Sequence, residues 1–278
     1  MRIAWALLLV TTLAAGSEEP LSPELPLRNV ELVDREGVAT RLVGFYRISG
    51  EDVFRGFLGA AEIQVPYERI VELRVRPGQP GGRMRAQITL RSGNGVDATF
   101  DEREGEQMLS GYAPFGRLTI FFRDVRQLRI LGHTAREDLP DYGPPVEGLD
   151  VRVTDGEGVA TELIGFRRAV GEDVIPGTRG AASIAIPLRV VRRLEIAADK
   201  EPGLRATATL KDGSSLDFRL PTYVEETAYR GEAEFGVFRI RLGKVRSLVV
   251  RRETPVLREI EPVSADEGES GPGEQPER

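Results

Sequence analysis

"EGVATRLVGF" at residues 36–45 returns as "EGVATELIGF" at residues 157–166. Eight of the ten letters match, 121 positions apart. The flanking sequence repeats with it. "GEDVFRGFLGAAEIQVPYERIVELRV" (50–75) aligns with "GEDVIPGTRGAASIAIPLRVVRRLEI" (171–196). "RAQITLRSG" (85–93) aligns with "RATATLKDG" (205–213), and "GYAPFGRLTIFFRDVRQLRI" (111–130) with "GEAEFGVFRIRLGKVRSLVV" (231–250). The chain is one module written twice.

The first difference inside the repeat says what kind of element it is. Gly37/Gly158, Leu42/Leu163, Gly44/Gly165 and Phe45/Phe166 are kept, while Arg41 becomes Glu162. In a strand, neighbouring side chains point to opposite faces. An inward leucine beside an outward charge tolerates that reversal; a catalytic charge does not. The stretch reads as a strand of a duplicated β unit.

A finer period runs within each half. From Gly56, residues Ala60, Ala61, Ile63, Val65, Ile70, Leu73 and Val75 follow at fixed steps. The same steps run from Gly111 to Phe115, Gly116, Leu118, Ile120, Val125, Leu128 and Ile130, and again from Gly177 and Gly231. Apolar residues two apart put one strand face inward. The gap in "VPYERI" and "IPLRVV" breaks the alternation and suits a single 3₁₀ turn between two strands. "LVDREGVATRL" and "TLKDGSSLDFRL" each give strand, Asp/Gly turn, strand. Each unit holds about five short strands, and no amphipathic helix of ten residues is evident.

"TLKDGSSLDFRL" with "FGVFRIRLGKVRSLVV" resembles the small SH3/Sm-like barrel repeats of uncharacterised exported bacterial proteins, in which a strand–DG–strand hairpin precedes an "fG.f.I.l..v..l" tail. The first and third units depart from that pattern, with Ala-Ala in place of Phe-Gly and a longer hairpin. The resemblance spans residues 30–250 and implies an all-β fold of tandem duplicated domains, each of two small barrel units, in a scaffold role. Periodicity equally allows each half to be one β-sandwich.

The expected organisation is a signal peptide at 1–16, a Pro/Glu-rich lead-in at 17–27, and a first β domain at 28–131 with units 30–75 and 84–131. A linker at 132–148 leads to a second β domain at 149–251 with units 150–197 and 204–251, and an acidic, disordered tail occupies 252–278. Arg2, the apolar run from Ile3, and Ala14 and Gly16 before Ser17 have the form of a cleaved secretory signal. An uncleaved anchor is the alternative, although the run is shorter than a spanning helix needs. No other segment has the length of an apolar membrane helix. A bacterial periplasm or cell surface follows as the expected location, and another envelope protein or a cell-wall glycan as the expected partner.

Charge narrows the function classes. The net charge is −6, and the acidic stretch from Glu253 to Arg278 holds all of it, so the body is neutral. That argues against a nucleic-acid footprint. Thirty-five of the 38 cations are arginine, a skew that fits a GC-rich genome. The chain has no cysteine and one histidine, His133, placed in the linker. Nucleophilic triads and zinc sites lack their residue types, and no catalytic residue, metal or cofactor is expected. Trp5, within the expected signal, is the only tryptophan.

Two chemistries keep a foothold. "GEDV" recurs, giving Glu51/Asp52 and Glu172/Asp173, but adjacent strand carboxylates face opposite ways and cannot flank one glycosidic bond. The turns "DREG" and "DGEG" lack the ligand ladder of a calcium loop. Arginines cluster at Arg69, Arg74, Arg76, Arg83 and Arg85, and at Arg189, Arg192, Arg193 and Arg205. Of these, Arg74, Arg76, Arg83, Arg85, Arg192, Arg193 and Arg205 form the candidate face for an anionic ligand. Glu68, Glu72 and Glu195 interleave with them, which favours a self-paired, solvated face.

Overall fold

The computed structural model describes residues 27–76, 82–140, 142, 148–198 and 203–254. The expected signal peptide, nearly all of the lead-in, and the tail beyond Thr254 lie outside the described residues. Within them the chain is all-β, with twenty strands, two four-residue helices and short 3₁₀ turns.

The first half contains β1 (Arg28–Asp34), β2 (Ala39–Arg47), β3 (Val53–Leu58), β4 (Ala61–Pro66) and β5 (Ile70–Arg76). It continues with β6 (Met84–Leu90), β7 (Gly95–Phe100), β8 (Met108–Ala113), β9 (Gly116–Phe121) and β10 (Val125–His133). The second half repeats them as β11 (Gly148–Asp155), β12 (Ala160–Arg168), β13 (Val174–Arg179), β14 (Ala182–Pro187) and β15 (Val191–Ala198). Its last five are β16 (Leu204–Leu210), β17 (Ser215–Leu220), β18 (Ala228–Ala233), β19 (Gly236–Arg241) and β20 (Val245–Thr254). Helices α1 (Glu102–Gly105) and α2 (Thr222–Glu225) follow β7 and β17.

Alternation builds these strands as the sequence predicts. β1 buries Val30 and Leu32 and leaves Glu31 and Val33 half-buried; Leu42 and Leu163 are inward, with Arg41 and Glu162 exposed beside them. The charge reversal between the halves has a cross-strand explanation. Glu31 stands opposite Arg41, and Arg152 opposite Glu162. Both members of the pair changed sign together, which keeps opposite charges facing one another. The residues of "VPYERI" and "IPLRVV" make 3₁₀ turns at Tyr67–Arg69 and Leu188–Val190, with Tyr67 and Leu188 tucked into the core.

The pairing order is not the order of the chain. In the first half it runs β4-β3-β7-β6-β5-β10-β1-β2-β8-β9. Consecutive strands therefore do not form one unit. The β1–β2 hairpin joins β8, β9 and β10, and the β6–β7 hairpin joins β3, β4 and β5. The units at 30–75 and 84–131 have exchanged hairpins, and each five-strand group draws on both. The core bridges the two groups: Tyr67 packs edge-on to Phe45 at 6.2 Å between ring centres, while Phe122 meets Phe54 at 5.8 Å and Phe100 at 5.1 Å. The second half has the same order, β14-β13-β17-β16-β15-β20-β11-β12-β18-β19.

The sheet is not closed into barrels, in contrast to the SH3/Sm-like expectation, and the pairing shows why. To close its ring, β4 would have to pair with β5, and β9 with β10. Both edges of β5 are taken, by β6 and β10, and both edges of β10, by β1 and β5. A strand has only two edges, so β4 and β9 stay open to partners outside their group. β9 finds one in β14, where Thr119, Leu118 and Arg117 stand opposite Ser183, Ile184 and Ala185. All twenty strands thus form one antiparallel ladder ending in β4 and β19.

Part of the stretch read as a linker is packed. Thr134 donates its hydroxyl to Asn29 Oδ1 at 2.7 Å, Leu139 lies against Gly44, and the Tyr142 hydroxyl donates to the Ala113 carbonyl at 2.8 Å. The segment covers the irregular seam between β2 and β8, where the register shifts between Val43 and Tyr46.

The seam between the halves makes a specific demand on Gly116. Its φ is +134°, and a Cβ there would come within 2.2 Å of the Ala185 carbonyl oxygen. Its repeat, Gly236, has φ +117° and open space. In dilute protein, Gly236→Ala is expected to cost about 1–3 kcal/mol of backbone strain. Gly116→Ala carries that strain and also forces β9 away from β14, so its urea midpoint should fall further. Equal losses in the two variants would argue against the seam.

Candidate functional site

Three features stand out for chemistry or binding: the free strand edges, a buried charge cluster, and the arginine faces.

The free edges are β4, paired only with β3, and β19, paired only with β18, among the described residues. Both present backbone donors and acceptors along one side, a template for another strand. Apolar side chains collect there. Phe235 is 74% exposed, Val237 70% and Leu58 52%, at the tips and along the strands of these edges. The tip of the β13–β14 hairpin illustrates how such an edge is used inside the molecule. The Ala181 N–H donates to Asp34 Oδ2 at 2.9 Å, and Arg179 donates to Thr40 Oγ1 at 2.7 Å. The Arg179 guanidinium lies 5.9 Å from the centre of the Phe115 ring.

The charge cluster belongs to the first half alone. Arg47, almost fully buried, donates to Glu104 Oε2 at 2.7 Å and to the Val53 carbonyl. Glu104, in α1, accepts from the Arg55 N–H at 3.1 Å through its other oxygen. The Asp101 side chain fixes the helix start by accepting from the Glu104 N–H at 3.1 Å. Buried Arg28 makes a two-pronged ion pair with Asp52. Burial pushes the Glu104 carboxyl above its ordinary range, with Arg47 and the Arg55 N–H opposing the shift. Burial likewise raises the Tyr67 hydroxyl, which sits among Arg47, Glu104, Asp52 and Arg28.

At three of the repeat positions the second half is apolar, with Leu149 for Arg28, Leu188 for Tyr67 and Val224 for Glu104, while Arg168 and Asp173 keep the charges of Arg47 and Asp52. The carbonyl that Arg47 serves in the first half is served there by a tyrosine. The Tyr229 hydroxyl donates to the Val174 carbonyl at 2.9 Å, and Tyr229 stacks on Phe166 with ring centres 5.4 Å apart. The two halves satisfy one backbone acceptor with different chemistry. Glu104 is therefore held by structural bonds, and so is Asp52. Arg47 and Glu104 lie 57 residues apart, so no local motif announces them. For Glu104 the available signal was a mismatch between repeats, with charge standing where the other half has Val224; Arg47 recurs as Arg168 and gives no such signal.

The arginines predicted to face an anionic ligand are exposed, and most have partners. Arg74 contacts Glu72 at 3.1 Å, Arg193 contacts Glu195 at 2.7 Å, and Arg205 contacts Asp217 at 3.5 Å. Arg83 lies 3.7 Å above the Phe57 ring, and Arg76 stands opposite Arg85 on paired strands. Arg193, Arg205 and Arg246 share a shallow depression of about 580 Å³ on the outer face of the second half, with Glu195, Thr207 and Ser247. Arg192 lies apart from them, beside Lys211, Arg251 and Arg252. The turn aspartates of "DREG" and "DGEG" cap their own hairpins: Asp34 Oδ1 accepts from the Val38 N–H at 2.8 Å, and Asp155 Oδ1 from Glu157 and Val159 at 2.9 Å. His133 ends β10 on the surface.

A family model described as an uncharacterised protein matches the chain twice, over residues 26–133 and 145–253. These limits bracket β1–β10 and β11–β20. No curated protein and no solved structure matches.

The charge cluster yields a direct test. Glu104→Val, the residue of the second half, leaves Arg47 buried without its carboxylate and should cost about 3–5 kcal/mol in urea unfolding. Combining it with Arg47→Met, Tyr67→Leu and Leu109→Tyr, which imports the tyrosine solution, should recover most of that loss. A combined variant no better than Glu104→Val would contradict the equivalence.

Proposed function

The chain belongs to the uncharacterised family whose model it matches twice, and we propose that it is an exported, non-catalytic β-repeat scaffold of the bacterial envelope that engages protein partners. The observation behind this reading is the pair of open strand edges, β4 and β19, at the ends of the twenty-strand ladder. Strand addition takes affinity from main-chain hydrogen bonds and specificity from alternate side chains, and both are on offer at these edges. Further support comes from the carboxylates. Glu104 and Asp52 are engaged by arginines, so neither is placed to act as an acid–base pair in a cleft. Export and the bacterial setting rest on the form of the first sixteen residues.

Affinity purification from the native envelope fraction tests the scaffold reading. The full chain, a chain lacking residues 252–278, and an edge variant carrying Ile63→Asp and Phe238→Asp are compared. Enrichment of defined partners by the full chain, lost with the edge variant, is expected. No enrichment with any form would overturn it.

A second reading has one observation in its favour, the depression shared by Arg193, Arg205 and Arg246. There the protein would hold an anionic envelope glycan. Retention on an acidic polysaccharide would then fall steeply with salt, because exposed charges are screened beyond about 10 Å at 0.1 M. Arg193→Glu with Arg205→Glu would weaken it further. No retention at low salt would exclude this reading.

A further inference from the structure

The seam that joins the halves has an unfilled counterpart at the ends of the ladder. β9 pairs with β14; their repeats, β19 and β4, each leave one edge unpaired among the described residues. What the seam covers, the ends expose. Phe115 is 8% exposed and its repeat Phe235 is 74%. Ala182 and Ile184 are buried, whereas Ala61 is exposed and Ile63 half-buried. Leu118 is buried and Phe238 half-buried; Val38 is half-buried and Val159 exposed.

We infer that β19 of one molecule pairs antiparallel with β4 of a second copy, in the register that joins β9 to β14, so that copies add head to tail. This deepens the reading of the open edges as working surfaces and rests on it. The occupant is argued from the register itself. Moving each seam pair to its repeat position turns Thr119 opposite Ser183 into Arg239 opposite Glu62. Leu118 opposite Ile184 becomes Phe238 opposite Ile63, and Arg117 opposite Ala185 becomes Val237 opposite Gln64. A neutral polar pair becomes an ion pair, and an aliphatic pair becomes an aromatic–aliphatic one. Both are favourable cross-strand combinations.

The hairpin tip transposes as well. Arg179, which reaches Thr40 and lies near Phe115, becomes Leu58, which would meet Thr161 and Phe235. Two exposed apolar side chains, Leu58 and Phe235, then cover one another. Asp34 divides its oxygens, one to its own turn and one to the Ala181 N–H. Asp155 commits Oδ1 to its own turn in the same way. In the second copy the Ala60 N–H would take the place of Ala181.

Charged residues on an edge can also serve to prevent pairing. Protective charges, however, have no reason to be opposite in sign at positions that share a register, as Glu62 and Arg239 are. The two surfaces differ from each other, so the contact is heterologous. It gives rings if the rotation closes and filaments if it does not.

Sedimentation velocity on purified full-length protein over a concentration series tests the inference. The expected result is mass that grows in whole-chain steps. Glu62→Arg and Arg239→Glu, both at exposed sites, should each move association to about tenfold higher concentration, and the double variant should restore it. An unchanged urea midpoint in the single variants separates loss of contact from loss of fold. A monomer at every concentration, or a double variant no better than the singles, overturns the inference. If the chain stays monomeric yet captures envelope partners in an edge-dependent way, self-assembly fails and the scaffold reading stands. If it assembles but captures nothing, self-assembly stands and the search for envelope partners fails.

Discussion

Leu73 facing Leu128 across β5 and β10, with Arg74–Gln127 and Glu72–Arg129 on either side, is the contact on which the rest of the structure depends. It occupies the last free edge of both strands. With β5 and β10 saturated, neither five-strand group can close on itself, and the strands that would have completed the rings are left open. Leu194 facing Leu248 does the same in the second half. The seam between halves, the continuous ladder and the two free ends follow from that saturation. Each half also exchanges its hairpins, so the groups cannot separate without unfolding both.

Duplication then left room for divergence. The first half has two buried arginine–carboxylate pairs; the second has Leu149 and Val224 in place of Arg28 and Glu104, retains Arg168 and Asp173, and carries its tyrosine at Tyr229 with Leu188 in place of Tyr67. Apolar substitutes for buried ion pairs are often neutral or stabilising, since removing charges from water costs several kcal/mol per ion. The contrast within one chain shows two solutions to one packing problem. It also explains why Arg47 and Glu104, though buried and charged, are structural: the Tyr229 hydroxyl serves in the other half the carbonyl that Arg47 serves, and the N–H that Glu104 accepts has no counterpart at Pro176.

Strand identity, the inward leucines, the turns and the 3₁₀ links were legible in the sequence, because alternation and Asp/Gly turn chemistry are local. Leu42 and Leu163 are buried where the period-two pattern places them. Partner choice was not legible. Whether β2 goes to β3 or to β8 is decided by contacts such as Tyr46–Ser110, far apart in the chain. Periodicity reports which face is inward and is silent on which edge is met. The arginine faces show the converse. Their clustering was visible, and so was the period-two neighbour of Arg193 in Glu195, but the pairing of Arg205 with Asp217 on the facing strand emerges only with the register.

Amide hydrogen exchange at low protein concentration tests the open ladder most directly. Amides along Leu118–Thr119 and Ser183–Ile184 should be strongly protected, while those at the repeat positions Phe238–Arg239 and Glu62–Ile63 should include rapidly exchanging outward-facing groups. Equal protection at the seam and at the ends would contradict a ladder that is joined at β9–β14 and open at β4 and β19.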